Sequence, residues 1–445
     1  MAQRPPNPER AALMRDKNYL WLMAGAIVTM LGDQFTLIAL PWLVLRMTGD
    51  TLVLGTVLGL MSLPRALFIL LGGAVVDRYS PKRVLMITKY VNTVLLAVLA
   101  ALVLVGGLSL WAVYALAFAI GLATAFSIPS GTSMLPHVVP RTQLAAANSM
   151  MMGMRQLSMF LGPLLAGLLI AVLGDGTSSS GDVAGVASGV VTDAHGLGLA
   201  FGLDALSFAL SAWTLSHVRL HGTGQPSPAA GVAPSQPVLS AVMAGLRHLW
   251  SDRDMRLCFI YWGVVAVLIT GPVQIAIPVL VSTQNLGAAA LGILAGAHGA
   301  GTLAGMMVSG ARPGLRLGTL GMTMLTVDVV VGLLFMPMGF ISGAWQGAAL
   351  LGTIGVLGGF MQVSVFTWLQ RRTPPALMGR VMSMFMFIFL GLAPLSGAFT
   401  GWLLRAITLP QLFMGSGGLL VCIALAALLV SPVRHVTDEP RPLSL

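Results

Sequence analysis

Two ionisable residues near the middle of long apolar runs are the first candidates for chemistry in this sequence. Asp33 lies in the first run and Arg65 in the second. An ionisable side chain near the centre of a bilayer costs on the order of 3 kcal/mol, so each needs a partner or a water-filled space. Such a carboxylate can exchange a proton, because burial disfavours its charge and a neighbouring cation favours it. We predict that Asp33 and Arg65 couple proton movement to function; a fixed structural ion pair is the alternative.

The apolar runs that hold these residues have the length and composition of membrane spans. Apolar residues make up 56% of the 445 positions and charged residues only 9%, which excludes an ordinary soluble domain. A helix needs about 20 apolar residues to cross the hydrocarbon layer. The sequence predicts twelve such helices, at 18–46, 51–76, 83–106, 109–135, 142–173, 197–217, 255–282, 287–310, 317–340, 345–370, 376–405 and 410–431.

The twelve predicted spans fall into two related halves of six. Residues 148–169 of span 5 and 379–404 of span 11 both pass through Met-rich and Phe-rich sequence to a Gly-Pro or Gly-x-x-Pro break. Duplication around a long central loop is typical of proteins in which two bundles move about a central site. The predicted hinge residues are Gly162, Pro163, Gly167 and Pro394.

The predicted fold class is therefore an all-α integral membrane protein with twelve transmembrane helices in two pseudosymmetric six-helix bundles. The sequence also predicts three cytoplasmic segments, which are the two terminal tails and a linker between the bundles. The predicted divisions are an N-terminal tail (1–17), an N-terminal bundle (18–217), a linker with an interfacial amphipathic helix (218–254), a C-terminal bundle (255–431) and a C-terminal tail (432–445).

Basic residues indicate how the chain is oriented. Nearly all Lys and Arg residues fall on the side that holds both termini, and only Arg46 and Arg405 fall on the other. The positive-inside rule therefore places both termini in the cytoplasm of a bacterial-type inner membrane. The net charge of +10 is dispersed through short loops without an aromatic-interleaved basic face, which excludes nucleic acid as a partner.

The loop between spans 2 and 3 carries a dense group of charges in the sequence GGAVVDRYSPKR, residues 72–83. Its glycines allow a second helix to approach closely, and its charges mark the cytoplasmic end of two spans. We predict that Lys89, which lies early in the next span, belongs to the same group of charges. A gating role is the first interpretation, and a basic loop that only sets topology is the alternative. The candidate gating residues are Gly73, Asp77, Arg78, Lys82 and Arg83.

This loop resembles the pattern Gly-x-x-x-Asp-Arg-x-Gly-basic-basic of the major facilitator superfamily, with Ser80 and Pro81 as departures. Four further stretches resemble the enterobactin-exporter and macrolide-efflux branch of that family. They are residues 31–49, 128–150, 240–256 and 370–383. The resemblance implies an exporter, commonly proton-coupled, in which helices 1, 4, 7 and 10 line a cavity.

Polar and aromatic residues on those helices and on span 5 are candidates for substrate contact. A lining with few charges suits an amphiphilic molecule, because most of the affinity comes from burying carbon surface. Arg155 has a structural alternative, which is to bind carbonyl groups freed at the Gly-Pro break. Asp204 is expected to contact water or make a helix-end hydrogen bond, and for Asp328 a structural role is favoured over a second proton site. The cavity candidates are Gln34, Phe126, Ser130, Arg155, Gln274 and Gln362.

The sequence thus predicts a secondary active transporter that exports a small amphiphilic molecule, such as a drug, siderophore or secondary metabolite, by alternating access and proton entry. Uptake of a small organic solute is the alternative; a membrane-embedded enzyme is a remote one, because HExxH, GxSxG and GxxxxGK[ST] motifs are absent. Cys258 and Cys422 lie inside apolar runs, so no metal site or cofactor is expected. The expected partners are the substrate, protons and the lipid bilayer, and the chain is expected to be monomeric.

Overall fold

Helices form all of the regular structure in the described part of the chain. The computed structural model describes residues 13–78, 80–173, 194–219, 238–312, 314–374 and 377–437. Within these ranges, eleven helices are long and apolar enough to cross a membrane. A twelfth helix, Thr51–Arg78, is 28 residues long, and its described apolar stretch covers Thr51–Arg65. The predicted all-α membrane class is confirmed.

The chain folds into two compact units, and the first holds most of the N-terminal half. It comprises Met1–Thr48 and Leu63–Ser227. Its helices are α1 (Lys17–Thr48), the second part of α2 (Thr51–Arg78), α3 (Pro81–Val105), α4 (Leu110–Val138), α5 (Leu144–Leu173) and α6 (Ala194–His217). Because α6 packs against α1, α3 and α5, residues on several of its faces are buried.

The second unit comprises Gly49–Ser62 and Pro228–Leu445. Besides the first part of α2 it contains α7 (Val238–Ser251), α8 (Arg253–Thr283), α9 (Gly287–Ala311), α10 (Leu320–Phe335), α11 (Ala344–Arg372), α12 (Met378–Met386, resuming at Ala393–Leu403) and α13 (Leu409–Val430). A 3-10 turn, Met336–Phe340, extends α10. Every predicted end of a span lies within three residues of an observed helix end.

The division between the units differs from the predicted one at residues 49–62. The start of α2 packs on α12, where Thr51 Oγ1 donates a hydrogen bond to the Gly401 carbonyl oxygen at 3.0 Å. Next to this contact, Asp50 pairs with Arg405. Partial burial raises the pKa of Asp50, but the hydrogen bond and charge of Arg405 outweigh burial and hold this pKa below its usual value. These contacts explain why the start of α2 belongs to the second unit.

The two units repeat the same helix pairings. In the first unit, α1 packs against α5 and α6, and α3 packs against α4 and α6. Six spans later, α8 packs against α12 and α13, and α10 packs against α11 and α13. Each of these four pairings in the first unit therefore has a counterpart in the second, as expected of an internally duplicated membrane protein.

Glycines let α9 and α11 pack backbone against backbone in the second unit. Gly301 and Gly305 of α9 face α11, and Gly355 and Gly359 of α11 face α9. A Cβ atom at any of these positions would overlap a carbonyl oxygen of the facing helix. Small residues at such contacts are typical of membrane helices, because close packing supplies association energy that apolar lipid does not.

Two spans of the second unit contain π-helical turns beside prolines. One turn is Pro272–Ala276 in α8, and the other is Phe387–Gly391, just before Pro394 in α12. Ser396 joins the two spans, since its Oγ accepts a hydrogen bond from the Gly271 amide at 2.7 Å and donates one to the Val267 carbonyl at 2.6 Å. π-Turns often mark functional positions in helices, and the hinge role of Pro394 stays a prediction.

The predicted hinge residues of span 5 lie in a continuous helix. Pro163 is buried inside α5, and Gly167 is buried one turn later. Gly162 packs against the side chain of Gln34 on α1, where a Cβ atom would overlap the Gln34 side chain. Gly162 therefore permits a close approach of α1 and α5, and motion at this point stays a prediction.

The helix predicted in the linker is present as α7. One face of it docks on α12, where a Cβ atom at Gly245 would lie 2.8 Å from Cβ of Arg380. Leu249 is buried, whereas Met243 and Trp250 are exposed. The predicted apolar face is therefore divided between contact with the protein and an exposed stripe, which is typical of a helix at a membrane surface.

Candidate functional site

Polar side chains gather where α1, α3 and α6 of the first unit meet. Small and hydroxyl residues of α1 repeat at three- and four-residue intervals, which places them on one face of the helix. They are Gly25, Thr29, Gly32 and Thr36. Gly25 lies against Ser211 and Thr214 of α6, and Gly32 lies against Asp204 and Ser207. The small residues of α1 thus let α6 approach and bring Asp204 into the interior of the unit.

Asp204 is held by hydroxyl groups. Its side chain is only 1% exposed. Thr36 Oγ1 donates a hydrogen bond to Oδ2 of Asp204, and Ser207 Oγ lies 3.2 Å from Oδ1 and also donates to the Asp204 backbone carbonyl at 2.7 Å. The expected contact with water is wrong, because Gly32 leaves room for the carboxylate between α1 and α6.

Lys89 of α3 completes this buried polar cluster, which we define as Thr29, Thr36, Lys89, Asp204 and Ser207. Its Nζ donates a hydrogen bond to Thr29 Oγ1 at 2.8 Å and lies 5.2 Å from the centre of the Phe208 ring. Lys89 is 7% exposed, so its expected place among the charges of the loop is wrong. It interacts electrostatically with Asp204 and with Asp33. An ammonium group inside the unit is thus matched by two carboxylates.

Asp33 lies at the middle of α1, beside the cluster, but on an exposed face of the helix. Its charge interacts with Lys89, then with Arg65 and Arg155. Among the side chains that the structure describes, no Lys or Arg nitrogen comes within 4.0 Å of its carboxylate. The Arg65 Nε is buried and makes no hydrogen bond to a described residue. The fixed Asp33–Arg65 ion pair is therefore wrong, and the two residues interact at longer range.

Other predicted cavity residues divide into exposed and buried positions. Arg155 of α5 in the first unit, and Gln274 of α8 and Gln362 of α11 in the second, are exposed within their spans. Polar side chains inside a span face water rather than lipid, because lipid cannot satisfy their hydrogen bonds. Gln34 is partly buried against Gly162.

Ser130 does not present its hydroxyl group to an accessible surface. It is completely buried, and its Oγ donates a hydrogen bond to the Phe126 carbonyl oxygen at 2.7 Å within α4. The prediction that Ser130 lines a cavity is wrong for this reason. Phe126 itself is partly buried.

The candidate gating loop is described only in part. The backbones of Gly73, Asp77 and Arg78 belong to α2, but the side chains of Asp77 and Arg78 lie outside the described residues. Lys82 Nζ donates hydrogen bonds to the carbonyl oxygens of Ser216 at 3.1 Å and Val218 at 2.7 Å, at the end of α6. A cation at this position neutralises the partial negative charge of the helix C-terminus. Arg83 is exposed.

A corresponding ionisable residue lies in the second unit. Tyr261 of α8 donates a hydrogen bond to Oδ2 of Asp328 of α10 at 2.7 Å. Asp328 comes eight residues after Leu320, the first residue of α10, just as Lys89 comes eight residues after Pro81, the first residue of α3. Both residues are hydrogen-bonded to a hydroxyl group on the first span of their unit, so corresponding positions hold a basic residue in the first unit and an acidic residue in the second.

Arg372 of α11 organises a second charged network at the end of α8. Its Nε lies 2.7 Å from Asp252 Oδ2, and its Nη2 lies 3.1 Å from Asp252 Oδ1 and 2.9 Å from Asp254 Oδ2. Asp252 also caps α8 by accepting hydrogen bonds from the amides of Asp254 and Met255. Partial burial raises the pKa of Asp252, but the bonds and charge of Arg372 outweigh burial and hold this pKa below its usual range.

A comparison with known families decides the class of this protein. The family model of the Major Facilitator Superfamily matches residues 22–398. The chain belongs to this superfamily. The resemblance seen in the loop between spans 2 and 3 is thereby confirmed, and so is the two-bundle fold. As a member of the superfamily the protein is a multi-pass membrane transporter and not an enzyme.

Relatives in the superfamily cover nearly the whole chain. The multidrug efflux pump Tap of Mycolicibacterium fortuitum is 26% identical over 437 residues, which cover 95% of this chain and 98% of Tap. The enterobactin exporter EntS of Escherichia coli O9:H4 (strain HS) is 25% identical over 412 residues, covering 91% of this chain and 89% of EntS. The crystal structure of the nucleoside transporter NupG has a TM-score of 0.68 at 13% identity, covering 93% of this chain and 98% of NupG. This structural likeness shows the fold.

Proposed function

We propose that this transporter exports a small amphiphilic molecule across a bacterial inner membrane and that proton entry drives the export. Two relatives that match almost the full chain are named as a multidrug efflux pump and an enterobactin exporter, which supports export. A proton that enters down the membrane potential releases about 2.3 kcal/mol per 100 mV, which can drive a solute outward. The distribution of Lys and Arg residues supports the proposal that both termini lie in the cytoplasm. The chain is proposed to act as a monomer.

The exposed position of Asp33 at the middle of α1 is the observation that carries the proposed coupling. A charge at this depth needs water, and a carboxylate that reaches water can exchange protons with one side of the membrane. Its nearest cations interact at longer range than a direct ion pair, so no bond fixes it in the ionised state. Asp33 is therefore proposed to bind a proton in one part of the transport cycle and release it in another.

The proposed substrate class follows from the side chains inside the spans. The exposed polar residues inside the spans are few and lie among apolar residues: Arg155 in the first unit, and Gln274 and Gln362 in the second. Apolar surfaces with few polar groups bind carbon-rich molecules through burial of apolar area and orient them with a few polar contacts. Methionines, of which the sequence has 27, adapt to substrates of different shape.

Transport in proteoliposomes tests this function. The full chain is reconstituted into vesicles with an acidic lumen, and uptake of ethidium, a fluorescent amphiphilic cation, is followed with and without the pH gradient. Proton-coupled exchange predicts accumulation that requires the gradient. Accumulation only with an alkaline lumen would instead support the alternative of uptake coupled to proton entry.

Asp33→Asn is the informative variant, and Asp16→Asn is its matched control. Both substitutions remove a carboxylate, but Asp33 lies within α1 whereas Asp16 lies just before it, where it accepts a hydrogen bond from the Asn18 amide at 2.8 Å. Asparagine also caps helices well, so Asp16→Asn is expected to leave transport unchanged. Gradient-driven accumulation that persists in Asp33→Asn would contradict the role of Asp33.

A further inference from the structure

We propose that Asp204 is the internal proton site of this transporter, which exchanges a proton with Asp33 while Lys89 serves as the cation common to both carboxylates. The inference rests on the proposed proton coupling. It adds a residue that lies inside the first unit, between α1 and α6, and not on the exposed face of α1 where Asp33 lies.

The hydrogen-bond partners of Asp204 suit both of its protonation states. Thr36 and Ser207 approach its two oxygens with hydroxyl groups. A hydroxyl group donates to a carboxylate and, after rotating, accepts from a carboxylic acid, whereas Lys and Arg only donate. Within the described ranges, no Lys or Arg nitrogen lies within 4.0 Å of Asp204. Asp204 can thus gain or lose a proton without leaving a buried polar group unpaired.

Asp33 has more cationic neighbours than Asp204. Asp33 interacts with Lys89, Arg65 and Arg155. Asp204 interacts with the like charge of Asp33 and, among the described side chains, with Lys89 as its one cation. Asp204 is buried whereas Asp33 lies on an exposed face, and a nearby negative charge further disfavours ionisation of the buried carboxyl group. The arrangement therefore favours the anion on Asp33 and the proton on Asp204 when the pair holds a single proton.

The surroundings of Asp204 allow the charge to move without losing its counter-ion. Its helix packs against α1, α3 and α5; of the charged groups on these helices, Asp33 and Lys89 interact with Asp204, and Arg155 interacts with Asp33. In the transfer, the O–H bond of neutral Asp33 breaks, an O–H bond forms on Asp204, and the negative charge returns to Asp33. Lys89 interacts with both carboxylates, so the charge stays within the field of the same ammonium group throughout.

Infrared difference spectra of the full chain in lipid nanodiscs test whether Asp204 exchanges a proton. Spectra between about pH 8 and about pH 5 report the C=O stretch of carboxyl groups that become protonated. The wild-type protein is expected to show a band that is absent in Asp204→Asn and shifted in Thr36→Val, because the Thr36 hydroxyl contacts the carboxyl group. Ser211→Ala, which removes a buried hydroxyl from the same face of α6, is expected to leave the band unchanged.

Two results would overturn the role of Asp204. One is a spectrum of Asp204→Asn identical to that of the wild type. The other, decisive if Asp204→Asn cannot be purified, is a carboxyl band that stays unshifted in Thr36→Val.

A proton-flux measurement separates this inference from the proposed function. In proteoliposomes with an ethidium gradient, Asp204→Asn is expected to lower the coupled proton flux by roughly tenfold or more. A wild-type protein that moves ethidium without moving protons would refute the proposed coupling itself. A coupled wild type with an equally coupled Asp204→Asn variant would refute the internal proton site alone.

Discussion

Replacing Arg372 with alanine should lower the free energy of unfolding of the second unit, because it breaks a largely buried charged network. The change removes three hydrogen bonds to Asp252 and Asp254 and leaves both carboxylates without their counter-charge. The Arg372, Asp252 and Asp254 side chains are 12%, 21% and 7% exposed. Breaking a fully buried pair costs about 3–5 kcal/mol and an exposed pair contributes under about 1 kcal/mol, so we expect a loss of about 3 kcal/mol.

This loss corresponds to a fall in melting temperature of about 6–12 °C for a unit of this size. Cys258 offers a direct assay, because this free thiol is buried in α8, close to the network. In a Cys422→Ser background, a thiol-reactive dye reports only the unfolding that exposes Cys258. Arg372→Lys keeps the charge but loses the two-pronged contact, so its melting temperature should fall between those of the parent and Arg372→Ala.

Arg371→Ala is the matched control, since its side chain is exposed on the same helical turn. An Arg372→Ala protein that melts within about 2 °C of this control would refute the reasoning.

The pH dependence of the melting temperature gives a second check. Because Arg372 holds the pKa of Asp252 below its usual value of about 3.9, the stabilisation is complete above that pH and is lost as the pH falls through the folded-state pKa. The difference between the parent and Arg372→Ala should therefore close only in acid.

Three further substitutions test other contacts. The two in the second unit use the same melting assay, and the one in the first unit is followed by the loss of folded protein on heating in detergent. Gly305→Ala should lower the free energy of unfolding by about 1–3 kcal/mol, because the added methyl group meets the α11 backbone. Gly310→Ala on the same helix adds a methyl group in open space, and equal melting temperatures of the two variants would contradict the close packing. Tyr261→Phe should cost about 1–3 kcal/mol by leaving Asp328 without its donor, and an unchanged stability would argue against this bond. Lys82→Met should cost under about 1 kcal/mol, and a larger loss would show a role beyond capping α6.

The spans could be predicted from the sequence because hydropathy and length alone decide them. A chain with 9% charged residues interrupts its apolar runs only at loops, so the predicted ends agree with the observed helices. The assignment of residues 49–62 could not be predicted in this way. It depends on contacts of Thr51 and Asp50 with the end of α12, and these residues lie far apart in the sequence.

The candidate site could be predicted only in part. Asp33 stands out because a lone carboxylate in a span is rare. Lys89 did not stand out, because it lies near a basic loop in the sequence, and only the packing of α3 against α6 shows that it is buried.

One signal of the buried polar cluster was present in the sequence. The small residues Gly25 and Gly32 alternate with Thr29 and Thr36 along one face of the first span, which indicates a close helix contact with polar partners. The identity of the partner, α6 with its Asp204, follows from the three-dimensional structure alone.

The most direct test of proton-driven export is to run the transporter backwards. Vesicles that contain the purified full chain and a pH-sensitive dye start with equal pH on both sides, with the membrane potential clamped to zero, and receive an inward gradient of ethidium. Obligatory exchange predicts that ethidium entry drives protons out, so the lumen becomes alkaline in the wild type and not in Asp33→Asn. Ethidium entry with no change of lumenal pH, or with the same change in Asp33→Asn, would contradict the account.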